Sequence, residues 1–111
     1  MITLRGNPIS TQHAYGQTGR RRYMTTKAKD LKEDYQWQAK SQWKKPPLKG
    51  ELALNIILYF KDDRRRDWDN WHKLSCDALS GIVWEDDSQI TEAHIFMEKS
   101  KENPRIEITL V

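Results

Sequence analysis

The stretch Leu52–Phe60 constrains the fold of this chain more than any other, because its large apolar residues alternate. Side chains of an extended strand point to opposite faces in turn, so this pattern predicts a strand with one fully apolar face. Ala53, Ile57 and Tyr59 make the second face largely apolar as well, which indicates a central strand covered on both sides. The residues of the first face are Leu52, Leu54, Ile56, Leu58 and Phe60.

Two helices are predicted around this strand. The first begins near Thr25 or Thr26, either of which suits an N-cap, and ends before Pro46. The second is predicted over residues 67–80, with Gly81 as its C-cap. Both show apolar residues at three-to-four spacing, the mark of a helix with one buried side. The buried stripes are Ala28, Leu31, Tyr35 and Ala39 in the first helix, and Trp68, Trp71, Leu74, Ala78 and Leu79 in the second.

Short strands are predicted at Ile2–Arg5, at residues 90–98 and at residues 105–111. The order β-α-β-α-β-β indicates an α+β fold, in which the helices pack on one mixed sheet. A length of 111 residues suits one domain spanning residues 1–111. Residues 7–24 show no sustained periodicity and are predicted to form a long basic loop.

Charge divides the chain in two. Residues 1–50 carry 11 Lys and Arg against 3 Asp and Glu, whereas residues 51–111 carry 8 against 13. The first part therefore suits contact with phosphates, and the second concentrates acids that suit cations. Cys76 is the single cysteine, the first residues lack an apolar targeting segment, and no stretch is long enough to span a membrane. We therefore expect a cytoplasmic protein without membrane attachment.

Acidic residues gather on both sides of the second predicted helix. Asp67 and Asp69 precede Lys73, and Asp86 and Asp87 follow the helix. Repelling carboxylates that gather in this way commonly hold a divalent cation, and Mg²⁺ or Mn²⁺ between them would bind a scissile phosphate. Lys73 would neutralise charge in the transition state. Simpler interpretations remain: the first pair would only cap a helix, and Asp69 with Lys73 would form a surface ion pair.

Basic and aromatic residues supply candidate DNA contacts. Arg64, Arg65 and Arg66 precede the first acids, and a guanidinium suits bidentate phosphate binding. A second arginine run lies in the predicted loop. We expect its arginines to contact phosphates and Tyr15 to stack on exposed bases; the alternative is a solvated loop that does not contact DNA. The second run is Arg20, Arg21 and Arg22. Trp37 and Trp43 fall off the helix stripe and suit either a dimer interface or the core edge.

The order of these motifs resembles one family. D-R-R-R-D-x-D-N-x-x-K, then D-A-L, then W-x-D-D-x-Q-I, is similar to the RusA family of Holliday junction resolvases, found in bacteriophages and prophages. The resemblance implies a homodimeric, Mg²⁺-dependent endonuclease that binds four-way DNA junctions and nicks two strands symmetrically. It also implies that Asp67, Asp69 and Asp87 are the essential acids, with Lys73 and, less directly, Asp86 beside them. A non-catalytic nucleic-acid-binding module with a structural cation, and a small protein-interaction domain, are the alternative functions.

Overall fold

The predicted central strand lies inside a four-stranded sheet in the computed structural model. The structure describes residues 1–18 and 21–111, the side chains at positions 12, 17, 18, 21 and 22 excepted. In chain order the elements are β1 (Ile2–Arg5), α1 (Thr11–Ala14), β2 (Tyr15–Thr18), β3 (Arg21–Met24), α2 (Thr26–Gln42), β4 (Leu52–Phe60), α3 (Lys73–Leu79), a 3-10 turn (Asp87–Gln89), β5 (Ile90–Lys99) and β6 (Arg105–Leu110). The α+β class and the mixed sheet with helices on it are confirmed; β2 and β3 form a second, two-stranded sheet.

The sheet runs in the order β1-β6-β4-β5, with β4 antiparallel to β6 and parallel to β5. Leu54, Ile56, Leu58 and Phe60 are buried, as their alternation predicts, and they share one core with residues of α2 and α3. Ala53, Asn55, Ile57 and Tyr59 on the other face are only partly buried. The expectation that both faces of β4 are covered was therefore wrong, because α2 and α3 pack on the same side of the sheet.

The first long helix follows its prediction closely. Thr25 is the N-cap of α2, and its side chain accepts a hydrogen bond from the amide of Ala28 at 3.3 Å. Ala28, Tyr35 and Ala39 are buried along one stripe. Among the described residues, no helix is long and apolar enough to cross a membrane.

The predicted loop over residues 7–24 contains a short helix and a hairpin instead. Ser10 caps α1 by accepting from the amide of His13 at 3.2 Å, and β2 pairs antiparallel with β3. Gly16 lies against the ring of Tyr23 across the hairpin, where any Cβ would overlap that ring. The strands are too short to show an alternating pattern in the sequence, which is why periodicity missed them.

The second predicted helix is shorter than expected, because it begins at Lys73 rather than near residue 67. The carbonyl of Asn70, which would accept a bond inside a longer helix, accepts from the amide of Thr11 at 2.8 Å. Contact with α1 therefore replaces the first helical turns. Trp68 was expected in the core and is 64% exposed, whereas Trp84 is fully buried.

The two edges of the sheet differ. Gln42 exchanges hydrogen bonds with the backbone of Thr3 at 2.8 and 2.7 Å, and Gln38 does the same with Arg5 at 2.7 and 3.3 Å. Two glutamines of α2 thus take the place of a neighbouring strand beside β1. At the other edge, β5 pairs only with β4 among the described strands, and Phe96 is 50% exposed there.

Candidate active site

A cavity of about 390 Å³ lies between α3, the segment before it and the start of β5. Leu54, Ile56 and Ile90 supply apolar surface, because the helix-facing side of β4 continues beneath the cavity. Charged and polar groups reach the same cavity from both sides of α3. They are Asp69, Asn70, His72, Lys73, Asp77 and Asp87.

Asp87 is held in this cavity by the buried core. The ring nitrogen of Trp84 donates a hydrogen bond to Asp87 Oδ1 at 2.7 Å, and Trp84 itself is fully buried. Burial raises the pKa of Asp87; the Trp84 bond opposes this, while the charge and hydrogen bond of Asp77 raise the pKa further. Asp77 and Asp87 therefore interact through their carboxyl groups, and a bound cation would offset the repulsion between their negative charges.

Asp77 is a site residue that the sequence analysis did not single out. It lies one turn after Lys73 on α3, and the Lys73 ammonium approaches Asp77 Oδ2 to 3.2 Å. The hydroxyl of Tyr15 donates a hydrogen bond to the same oxygen. The expected pair of Asp69 and Lys73 on one helix face is therefore wrong, because Asp69 precedes the helix and Lys73 pairs with Asp77. The D-A-L motif and its four-residue spacing from Lys73 were the available signal.

The predicted acids separate into two groups. Asp69 and Asp87 line the cavity together with Lys73, whereas exposed Asp67 and Asp86 are not among the lining residues. Asp86 caps the 3-10 turn: its side chain accepts from the amide of Ser88 at 3.0 Å. Hydrogen bonds from Ser88 lower the pKa of Asp86. A metal-binding role for Asp86 stays a prediction that this geometry does not support.

Within the described part of the chain, no three His, Cys, Asp or Glu side chains converge closely enough to hold a metal ion. The chemistry of the donors still suits Mg²⁺, since the carboxylates of Asp69 and Asp87 share one cavity. The Asp77 carboxylate in the same cavity is engaged by Tyr15 and Lys73. Two further donor side chains line the cavity, His72 and Cys76. Burial lowers the pKa of His72, which favours the neutral imidazole. Burial raises the pKa of the Cys76 thiol to about 12, so this thiol stays protonated near neutral pH and is a poor ligand.

The arginine run after β4 is not uniform. Arg64 and Arg65 are exposed, but the Arg66 side chain is only 8% exposed and its guanidinium lies 2.6 Å from Asp62 Oδ1. The same guanidinium lies 4.1 Å from the centre of the Phe60 ring. Arg66 is therefore engaged within the protein, and the phosphate contacts predicted for this run keep their support only at Arg64 and Arg65.

The second arginine run is only partly covered by the structure. Arg20 lies outside the described residues, and Arg21 and Arg22 belong to β3, whose side chains at these positions are not described. Tyr15 was predicted to stack on bases. That role stays a prediction. In the structure the Tyr15 hydroxyl donates to Asp77, and the Lys73 ammonium lies 5.2 Å from the centre of the Tyr15 ring.

Comparison with known protein families matches residues 5–111 to the family described as endodeoxyribonuclease RusA. The chain belongs to the RusA family. The match spans nearly the whole chain and includes the cavity, so the resemblance found in the sequence motifs is confirmed. A comparison with curated proteins gave no match. As a member of the RusA family the protein is an endodeoxyribonuclease, an enzyme of the Holliday junction resolvase class that hydrolyses DNA.

Proposed function

We propose that this protein is a Mg²⁺-dependent endonuclease that resolves four-way DNA junctions by paired symmetric nicks, with the cavity beside α3 as its active site. One observation carries the proposal: Asp69, Asp87 and Lys73, drawn from segments before, after and within α3, line a single cavity. This fits a site that receives a phosphodiester, because it combines cation-binding carboxylates with a cationic side chain.

Asp69 and Asp87 are the proposed metal-holding residues, with Asp67 added on the strength of the family resemblance. Mg²⁺, or Mn²⁺ in its place, supplies positive charge that offsets the charge developing on the scissile phosphate. Water adds to phosphorus and gives up a proton, one ester P–O bond breaks, and the leaving oxygen takes up a proton, so that the two products together contain the atoms of the water. The Lys73 side chain is 43% exposed and lines the cavity, so its ammonium is placed to stabilise that oxygen or the phosphate.

Exposed arginines extend the proposed DNA surface beyond the cavity. Arg64 lines a second groove of about 710 Å³, where Lys27, Lys61 and His13 lie on neighbouring segments. Cations along a groove track a phosphate backbone without reading its sequence. Arg65 is exposed beside Arg64. We propose that the DNA flanking the cut site lies along this groove. The β2–β3 hairpin, with its arginines, would extend the same DNA-binding surface.

A homodimer is the proposed working form, since two sites related by a two-fold axis match the two equivalent strands of a four-way junction. The open edge of β5 supports it, because the edge at β1 is already capped by Gln38 and Gln42. Antiparallel pairing of two β5 edges with Phe96 on the axis sets His94 opposite the partner subunit's Glu98. Such a pairing joins the two sheets and combines aromatic contact between the Phe96 rings with a polar contact between His94 and the partner subunit's Glu98. With DNA as substrate, we expect the protein in the cytoplasm of a bacterial or phage-infected cell.

The proposal is tested with a labelled synthetic four-way junction and a linear duplex of matched sequence, each incubated with and without Mg²⁺. The expected result is a pair of symmetric nicks in the junction only, and only with the metal, giving products that a ligase seals. Equal cutting of the linear duplex would refute junction selectivity. Junction binding without any cutting, in Mg²⁺ or Mn²⁺, would instead favour a non-catalytic DNA-binding module.

A further inference from the structure

Asp77, the acid of the D-A-L motif, lies at the centre of the polar contacts in the cavity. Its side chain is 20% exposed. Three groups reach its carboxylate: the Tyr15 hydroxyl, the Lys73 ammonium at 3.2 and 3.4 Å, and the carboxyl group of Asp87. These partners come from β2, from α3 and from the segment before β5, so Asp77 joins three separate parts of the chain.

The contacts of Asp77 determine how the positive charge in the cavity is oriented. Lys73 is the only Lys or Arg among the described residues that line the cavity. Asp69, Asp77 and Asp87 line the same cavity, and the ion pair with Asp77 sets the direction of the Lys73 side chain. Lys73 also lies 5.2 Å from the centre of the Tyr15 ring, so Tyr15 contacts both members of the pair. Because Asp77 and Tyr15 already restrict the Lys73 side chain, it loses less conformational entropy when a substrate phosphate binds.

We propose that Asp77 is a positioning residue, which orients Lys73 toward the substrate phosphate and holds the Asp87 carboxyl group in place, with Tyr15 as its anchor. The inference rests on the proposed function, because it assigns Lys73 and Asp87 their roles there. Asp77 touches neither substrate nor the reacting atoms in this account. Its effect passes through two neighbours, as the groups behind metal ligands commonly act.

The β2–β3 hairpin is linked to Asp77 through Tyr15. Tyr15 opens β2, and the backbone amide of Thr25, just after β3, donates to the carbonyl of Ala14 at 2.9 Å. The base of the hairpin is thereby fixed to α1, directly beside the cavity. The Tyr15 hydroxyl thus links the hairpin to the carboxylate that orients Lys73.

The experiment compares wild type with Asp77→Asn, Asp77→Ala, Tyr15→Phe and the Tyr15→Phe/Asp77→Ala double variant. Three quantities are measured: the single-turnover rate of junction cleavage in Mg²⁺, the Kd for the junction without metal, and the Kd for Mn²⁺ without DNA, from the electron paramagnetic resonance signal of free Mn²⁺. Glu102→Gln, at an exposed position between β5 and β6, serves as the matched control for losing one carboxylate.

Asp77→Asn is expected to cut about 10-fold to 100-fold more slowly and to bind Mn²⁺ about 10-fold more weakly, while its junction Kd and Tm stay close to those of wild type. Asp77→Ala should be slower still. Tyr15→Phe should slow cleavage by a smaller factor, and the double variant should be no slower than Asp77→Ala, because the hydroxyl acts through the carboxylate. Glu102→Gln should match wild type in every measurement.

Cleavage and Mn²⁺ binding at wild-type levels in Asp77→Asn would overturn the inference, as would multiplicative losses in the double variant. A lowered Tm with an unchanged cleavage rate and unchanged Mn²⁺ binding would reduce Asp77 to a structural residue and overturn it equally. A wild type that cuts no junction, yet binds Mn²⁺ more tightly than Asp77→Asn does, would refute the proposed function and leave the positioning role supported. A wild type that binds no Mn²⁺ would overturn the inference.

Discussion

The guanidinium of Arg66 and the carboxylate of Asp62 lie 2.6 Å apart at the end of β4. This ion pair distinguishes one arginine of the run from its two neighbours. Arg66 also lies over the rings of Phe60 and Trp71, at 4.1 and 5.4 Å from their centres. The pair therefore closes one side of the core, and it fixes the start of the segment that carries Asp67 and Asp69.

Asp62→Asn is expected to lower the Tm slightly at neutral pH, because it removes the charged partner of the nearly buried Arg66 guanidinium while the partly exposed carboxylate is itself screened by solvent. The hydrogen bond from Arg66 lowers the pKa of Asp62. A lowered folded-state pKa stabilises the fold above the ordinary carboxyl pKa of about 4, and this contribution is lost as pH falls through the folded-state value. The Tm difference between wild type and Asp62→Asn should therefore be largest at neutral pH and should disappear at acidic pH. A difference that stays constant down to strongly acidic pH would contradict the ion pair.

Arg64→Ala combined with Arg65→Ala should weaken junction binding and reduce its salt dependence. Each lost phosphate contact should remove about one unit from the slope of log affinity against log salt concentration. Both side chains are exposed, so the Tm should not change. Arg66→Ala serves as the contrast, since it should lower the Tm through the loss of its ring contacts. Salt slopes that are identical in wild type and the double variant would remove these arginines from the DNA surface.

Asp86→Asn should retain cleavage to within a small factor, since asparagine keeps the oxygen that accepts from the amide of Ser88. Asp87→Asn should slow cleavage by about 100-fold or more, because it removes a charged oxygen from the cavity. The two neighbours are thus each other's matched control, and single-turnover cleavage of a junction separates them. Equal losses in both variants would show that Asp86 belongs to the metal site after all.

The elements that the sequence predicted well share strong local signals. The alternation in Leu52–Phe60 and the cap at Thr25 fix β4 and α2 without help from distant residues. The start of α3 was misplaced because a contact from Thr11, far away in sequence, occupies the carbonyl of Asn70. Asp77 and the inward turn of Arg66 each had a local signal, an acid and a base four residues apart, but this spacing is also typical of surface ion pairs. The contacts with Tyr15 and Phe60 that distinguish the two residues appear only in the fold.

Phe96→Glu should convert the proposed dimer to a monomer, because it places two like charges at the centre of the paired β5 edges. Sedimentation equilibrium would measure this, and paired nicking of a junction should give way to single, uncoupled nicks. Trp37→Glu is the control: Trp37 is also a large exposed aromatic residue, at 66%, but it lies on α2. A monomer produced by Trp37→Glu and not by Phe96→Glu would move the interface to α2.

The central claim is that the cavity beside α3 is the active site, and Asp69→Asn tests it most directly. The measurement is the single-turnover rate of four-way junction cleavage in Mg²⁺, with the junction Kd determined in parallel. The expected rate is at least about 100-fold below that of wild type, with junction binding retained or tightened because one repulsive carboxylate is gone. Metal-dependent cutting by Asp69→Asn at the wild-type rate would contradict it.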